Sequence, residues 1–435
     1  MPSRLTRRRF LAASAAVAAA PYVKAYAPGE PKDKVRLAII GVGNRGAGNL
    51  AGIAAENLVA ICDVDPQHAV KARAQFPKAE YFTDYRKMLD AVANKVDAVV
   101  VSTPDHTHAH PSLIAMGLGK HLYCEKPLAH TVEEVRLVRQ TAKDKKLVTQ
   151  MGTQIHAGDN YRRVVEIVRS GMLGPISRVQ VWLSRKPDAA KRVDSPVKPI
   201  KFDIDQWLGP VPHEFFYAKH SEHNGGWPHW NWRYWWAFGG GTLADFGCHY
   251  MDLPYWALNL GAPTRVKSTG TKIPDADNDV PNTQRVDYHY AASGKNPAVH
   301  MTWYHGVPGP DDGQTKIDGF PSGVLFEGEA GQLVAGYSNY RFLPDSFAQV
   351  VKPPRPTIAK SVGHHQEWLD AIRAGGGPTT CNFGYSGTLA EAVLLGNVAY
   401  RAGREIAWDA AAGKTDSPEA DKFLKWEVRK GWELK

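Results

Sequence analysis

Gly41-Val42-Gly43-Asn44-Arg45-Gly46 has the spacing of a phosphate-binding turn. Its glycines permit a tight bend and let backbone N–H groups reach a pyrophosphate where a helix begins. Asp63 follows Gly43 by 20 residues, the place where an acid accepts both ribose hydroxyls of a dinucleotide. A carboxylate there repels a 2′-phosphate, so the pair favours NAD over NADP as the cofactor. A glycine turn in a flavodoxin-like chain with another ligand is the competing explanation, and the acid in register weighs against it.

Two further segments leave the carboxyl ends of expected strands, where open parallel sheets bind ligands. Ser102-Thr103-Pro104-Asp105-His106-Thr107-His108 opens a run of three alternating histidines, His106, His108 and His110. Pro104 and Pro111 bracket the run, and no cysteine or acid cluster accompanies it. It therefore reads as a loop under the cofactor, with Thr103, Pro104 and His108 as contacts, or as a helix cap, and no metal is expected. In Glu125-Lys126-Pro127 the lysine stands where it can reach a nicotinamide face. A positive ring beside it would lower its pKa by like-charge repulsion. Spacing alone does not exclude a plain surface lysine ahead of a helix.

Gly239-Gly240-Gly241-Thr242-Leu243-Ala244-Asp245 and the following Phe246-Gly247-Cys248-His249-Tyr250-Met251-Asp252 read as a glycine loop entering a helix. Asp245, His249 and Asp252 then share one face, which would hold an imidazole between two carboxylates and make His249 a proton acceptor. Thr242-x-x-Asp245 is also a capping-box pattern, and the two roles can coexist. Just upstream, Trp227-Pro228-His229-Trp230-Asn231-Trp232-Arg233-Tyr234-Trp235-Trp236 holds five of the chain's 13 tryptophans. Flat rings beside His229, Trp230 and Arg233 suit a sugar, whose C–H face stacks while its hydroxyls hydrogen-bond. Most of these rings belong to a core, which leaves one or two for a ligand. His220, His223, His364 and His365 receive no role.

These residues need particular elements to position them. Apolar runs at 35–40, 58–64, 96–103, 121–124 and 147–151 alternate with helical periodicity at 67–76, 85–93, 111–118 and 132–143, the pattern of a doubly wound parallel α/β sheet. After residue 152 a helix at 159–170 is followed by strands at 176–183, 264–270, 284–291, 298–305 and 324–326 without helices between them. Helices at 364–374 and 385–402 close the chain, the second ended by Gly403. The expected architecture is α/β + α+β: a Rossmann domain at 34–152, then 153–435 with a mainly antiparallel open sheet. That sheet offers a surface for a homo-oligomer.

Composition excludes several classes. Hydrophobic content of 43% and charge of 22% describe an ordinary globular chain. Of the net charge of +9, five cations (Arg4, Arg7, Arg8, Arg9, Lys24) lie in the first 27 residues, and the remainder carries only +4. That is no argument for a nucleic-acid partner. Thr6-Arg7-Arg8-Arg9-Phe10-Leu11 precedes an alanine-rich run at 12–20, too short for a membrane span but right for a signal. Residues 1–27 therefore read as a twin-arginine export signal, with cleavage best placed after Ala25. This route carries folded proteins, so the cofactor would be loaded first and leave already bound. Cys62, Cys124, Cys248 and Cys381 have no metal spacing and are expected to be buried thiols.

Taken together, GVGNRG, Asp63, STPDHTH, EKP at 125–127, GTQ at 152–154 and GGGTLADFGCH resemble the Gfo/Idh/MocA oxidoreductase family from Val35 to Trp408, and the signal resembles that of its exported members acting on saccharides. The resemblance implies that Lys126 with Asp245 and His249 forms the catalytic group, and that Asp63 reads the adenosine ribose. Gly41, Gly43, Asn44, Arg45, Gly46, Glu125 and Gln154 would complete the cofactor site, Gln154 near the nicotinamide end. It also implies hydride transfer at a ring hydroxyl carbon of a sugar or glycoside. The alternative within the family is glycoside hydrolysis by oxidation, elimination, hydration and re-reduction with tightly bound NAD. An exported enzyme that cannot renew soluble NAD gives the alternative weight.

Overall fold

Short runs of valine, alanine and isoleucine bounded by turn residues become the strands of one parallel sheet. In this computed structural model, which describes residues 34–187, 189–193, 200–212, 216–218, 228–294 and 296–433, they are β1 (Arg36–Ile40), β2 (Asn57–Cys62), β3 (Glu80–Phe82), β4 (Ala98–Val101), β5 (His121–Cys124) and β6 (Thr149–Met151). The expected export signal, Trp227, His220 and His223 lie outside the described residues. The strands pair in the order β3-β2-β1-β4-β5-β6, so the winding reverses between β1 and β4 and a crevice opens at their carboxyl ends. Strand β3 escaped the sequence reading because its three residues sit at the sheet edge, half-buried or exposed, and carry no apolar run.

The intervening helices are α1 (Arg45–Gly52), α2 (Pro66–Gln75), α3 (Tyr85–Val92), α4 (Ala109–Gly117) and α5 (Val132–Asp144). Their starts are written in side-chain oxygens. Asp65 and Asp84 accept N–H groups from the first turns of α2 and α3, and Thr131 with Glu134 closes a reciprocal capping box at α5. One sheet face packs Ala38, Ile40, Val99 and Val101 against α3, α4 and α5. The other packs Leu37, Ile39 and Val100 against α1 and α2, and also against Trp368, Leu369 and Ala371 from late in the chain.

After α6 (Asp159–Arg169) the chain builds a second sheet. Its strands are β7 (Ile176–Leu183), β10 (Arg265–Thr271), β11 (Thr283–Tyr290), β12 (Val299–His305), β13 (Gly323–Gly328), β14 (Gln332–Ala335), β15 (Tyr340–Leu343), β16 (Ile406–Asp409) and β17 (Lys414–Thr415), while β8 (Lys191–Val193) and β9 (Phe216–Ala218) form a separate ribbon. The order is β15-β14-β13-β7-β12-β11-β10-β16-β17, antiparallel throughout except for the β7–β12 pair. Strand β11 shows why this sheet has two unlike faces: buried Val286, Tyr288 and Tyr290 alternate with half-buried Arg285, Asp287 and His289. The apolar face, with Val181, Trp303 and Phe326, joins one core with α7 (Gly241–Tyr250), α8 (Asp252–Leu258) and the long α10 (Phe383–Ala402), which follows α9 (His364–Arg373). Asn382 caps α10 and Gly403, at φ 65°, ends it. The same apolar core continues into the first sheet, and α9 supplies the three late residues that cover that sheet's other face. All four cysteines are buried free thiols. Among the described residues no helix is long and apolar enough to cross a membrane.

Trp303 is fully buried at the centre of the second sheet. Truncating it to alanine leaves a cavity that rigid neighbours cannot refill, and we expect a loss of about 3–5 kcal/mol, read as a lower urea midpoint with an unchanged slope.

Candidate active site

Contacts between strands β1, β2 and helix α1 build the glycine turn. The Gly41 N–H donates to the Cys62 carbonyl and the Gly46 N–H to the Gly43 carbonyl, both at 2.8 Å. A Cβ on Gly46 would stand 2.2 Å from the Gly41 carbonyl oxygen, so no larger residue lets α1 start this close to β1. Asp63 leaves the end of β2, where its carboxylate oxygens accept the N–H groups of Val42 and Asp65 at 2.9 Å each. These two bonds aim the carboxylate beside the turn, and burial raises its pKa.

The loops after the neighbouring strands β4 and β5 lie side by side at one flank of the crevice. The two ring nitrogens of His108 lie 2.7 Å from the Thr103 and Pro127 carbonyls, so the single N–H of the neutral ring donates to one of them while the ring packs between the two loops. It is buried and is not part of the cavity wall, which corrects its expected role: it supports Thr103 and Pro104 from below, and these do line the cavity. His106 meets the Trp207 carbonyl at 2.9 Å and His110 the Tyr85 hydroxyl at 2.8 Å, so the histidine run is scaffold. Glu125 accepts Asn49 Nδ2 at 2.9 Å and Gln154 Nε2 at 2.7 Å on one oxygen, and Arg45 Nε lies 3.7 Å from that same oxygen. A Cβ on Gly152 would meet the Glu125 carboxyl at 2.5 Å, which explains the glycine of the GTQ motif. The second Glu125 oxygen is buried and has no partner among the described residues. A bound group with an N–H or O–H donor would satisfy it.

Lys126 reaches across to α7. Its Nζ donates to Asp245 Oδ1 at 2.7 Å and to the Asp245 carbonyl, while Arg233 Nε lies 3.4 Å from the same carboxylate oxygen. Burial alone would raise the Asp245 pKa, but Lys126 and then Arg233 hold it well below the usual carboxylate range. His249, one turn along α7, lines the cavity with a buried Nδ1 that has no partner among the described residues, and burial lowers its imidazole to about 3. The expected clasp of His249 between two carboxylates does not form. Helix α7 ends at Tyr250, and Asp252 starts α8 turned toward His156 Nδ1, 2.9 Å away, and the Tyr385 hydroxyl, 2.7 Å away. The capping box does not form either, because Gly240 is the N-cap and the Asp245 side chain is engaged by Lys126.

These pieces surround one cavity of about 520 Å³. It runs from Gly41, Gly43, Asn44, Arg45 and Asp63 to Lys126, Gln154, Asp245 and His249. Of the tryptophan run, Trp230, Trp232 and Arg233 stand in its wall, whereas Trp235 is fully buried in the core. His229 lies at the opposite end from its expected place beside a sugar. Its Nε2 is 3.1 Å from Asp65 Oδ2, its ring centroid is 4.0 Å from that of His68, and its carbonyl accepts Asn44 Nδ2 at 3.3 Å. That places it over the glycine turn. His364 and His365 meet the Met151 carbonyl at 2.7 Å and Asn49 Oδ1 at 3.0 Å as supports.

Sequence reasoning missed Asp65, His68 and Asp105. Asp105 lines the cavity at 6% exposure, and burial, partly offset by Lys126 and Arg233, pushes its pKa up to about 8. It is a carboxyl that keeps its proton at neutral pH, which no spacing rule shows. The cavity's shape and chemistry fit an NAD-type dinucleotide: a glycine cradle with the Asp63 carboxylate beside it at one end, and Lys126, Asp245 and His249 at the other.

Burial also holds His106 and His364 to about 3 and His130 to about 4. A free histidine titrates near ~6.5, so the stability tied to each is complete above that value and is lost as pH falls from there through the folded value. Asp105 has the opposite sign: its contribution is complete below the unfolded carboxyl value and is lost as pH rises through about 8. Melting temperature should therefore fall as pH drops from about 6.5 toward about 4.5, and Asp105→Asn should remove part of any fall between about pH 5 and about pH 8. Thermal melts across a pH series read both; an acid limb that stays flat contradicts the buried neutral histidines.

Residues 35–153 match the model of an oxidoreductase family with an NAD-binding Rossmann fold, and residues 160–434 match that family's C-terminal alpha/beta domain. A glycosyl hydrolase family 109 protein from Shewanella pealeana is 32% identical over 155 residues, 33% of this chain and 34% of the relative. An alpha-N-acetylgalactosaminidase from Shewanella oneidensis is 32% identical over 156 residues, 33% of each. The chain thus spans about a third of the length of these curated relatives. A levoglucosan dehydrogenase solved with NADH and levoglucosan superimposes with a TM-score of 0.57 at 17% identity, covering 86% of this chain and 99% of that one, which is a likeness of fold. With both halves matched in order, the chain belongs to the Gfo/Idh/MocA oxidoreductase family, an NAD-binding Rossmann domain followed by the family's C-terminal α/β domain.

Proposed function

We propose that the protein oxidises or reduces a ring hydroxyl carbon of a sugar or glycoside, the bound nicotinamide accepting or returning the hydride. The observation that carries this reading is the convergence of Lys126, Asp245 and His249 on the cavity that begins at the glycine turn. His249, neutral at working pH, takes the hydroxyl proton. Lys126 spends two of its three N–H donors on Asp245, and the third is left to stabilise the developing alkoxide. Trp230 and Arg233 stand where a sugar face and its hydroxyls need a ring and a donor. We assign Asp63 to the adenosine ribose and, on charge grounds, NAD over NADP.

A second reading is redox-assisted glycoside hydrolysis, in which oxidation acidifies a neighbouring C–H, the aglycone leaves, water adds and the carbonyl is reduced again. Asp105 favours it, because a carboxyl that keeps its proton can donate it to a leaving group. The glycosyl hydrolase family 109 relatives support the same reading. We further propose that residues 1–27 export the folded protein by the twin-arginine route with NAD tightly held, and that the part of the large sheet bearing the Arg285–Asp287 pair forms a homo-oligomer contact, testable by light scattering.

Replacing Lys126 with alanine should reduce NADH formation on a responsive sugar by about 10²–10⁴-fold while NAD binding stays largely intact. Retained turnover would remove Lys126 from the mechanism. Incubation with aryl glycosides in the absence of added cofactor separates the two readings. Aglycone release without net NADH marks the hydrolase, whereas a requirement for stoichiometric NAD marks the dehydrogenase.

A further inference from the structure

Arg185, just past the end of β7, is half-buried between the exposed Ser184 and Lys186. Its guanidinium lies 5.0 Å from the Phe246 ring centroid and 5.5 Å from that of Trp230, and both rings belong to the cavity wall. It has no ion pair or hydrogen bond among the described residues, and its field reaches Asp245. The surrounding charges are uneven. Lys126 and Arg233 share the single Asp245 carboxylate, Asp105 keeps its proton, and His249 is neutral, so this end of the cavity holds more positive charge than negative. A guanidinium beside two aromatic rings keeps its planar fork of donors, and leaving such a group partly desolvated without an acceptor is unfavourable.

We propose that the saccharide this site takes carries an anionic substituent, a ring carboxylate or an ester sulfate, and that Arg185 receives it. A neutral sugar gives Arg185 only weak hydroxyl contacts, whereas a carboxylate or sulfate accepts two charge-assisted hydrogen bonds and balances the excess of cations. The inference rests on the sugar reading of the cavity.

The test is calorimetric titration of the full chain, saturated with NADH, with methyl glucosides and galactosides, the matching methyl uronides, and the matching 6-sulfates. Wild-type protein should bind one anionic series at least about tenfold more tightly than the neutral one, and added salt should narrow the gap. Arg185→Gln should bring the anionic-to-neutral ratio close to one, and Arg185→Lys should keep part of the preference without discriminating carboxylate from sulfate. A uronide-only or sulfate-only preference identifies the substituent. Equal affinity for neutral and anionic sugars, or a preference that survives Arg185→Gln, overturns the role of Arg185 while leaving the sugar reading intact. Binding of NADH with no binding of any of these saccharides overturns the sugar reading, and this inference with it.

Discussion

The ion pair between Lys126 and Asp245 is the contact on which the site depends. Lys126 stands near the start of the loop after β5 of the parallel sheet and Asp245 sits in the second turn of α7, so 2.7 Å between them joins the NAD-binding Rossmann domain to the C-terminal domain. Both side chains are almost fully shielded from water. A shielded pair repays its desolvation only when its geometry is good and its remaining donors and acceptors are used. Arg233 supplies a second cation to the same carboxylate, and the Asp245 carbonyl takes a further Lys126 proton. The lysine is thereby kept at a defined point above the crevice with one donor to spare.

Around that pair the chain fixes histidines as neutral struts. His106, His108 and His364 each contact a backbone carbonyl from inside the protein. These bonds tie the rings to the main chain at Trp207, Pro127 and Met151. His249 differs in lining the cavity and in having no hydrogen bond to its ring among the described residues. The division between the struts and His249 follows from which rings have protein partners, not from residue type.

Much of this was legible in the sequence. The glycine turn and Asp63 announce themselves because each answers a local backbone need, and apolar runs mark the parallel sheet without β3 and strands β7 and β10 to β13 of the second sheet, whereas the short edge strands β14 to β17 went unread. Four readings failed for reasons beyond local spacing. Asp252 shares a helical face with His249 only if one helix continues, and the break at Met251 lets His156 and Tyr385 claim it. Thr242 and Asp245 have capping-box spacing, yet Lys126, 119 residues away, takes the carboxylate. His229 and His108 were assigned by neighbourhood in sequence, whereas Asp65 and the Pro127 carbonyl decide where they sit. Asp105 and Arg185 were invisible because the interest of the first lies in its burial and that of the second in having no ion pair or hydrogen bond among the described residues.

The central claim is that one dinucleotide spans the cavity from the glycine turn to the Lys126–Asp245 pair. A crystal structure of the protein with NADH tests it most directly. The account predicts the adenosine ribose hydroxyls on the Asp63 carboxylate, the pyrophosphate at the start of α1, and the nicotinamide ring beside Gln154, Lys126 and His249. A dinucleotide bound in the reverse direction, or with its nicotinamide away from Lys126, would contradict it.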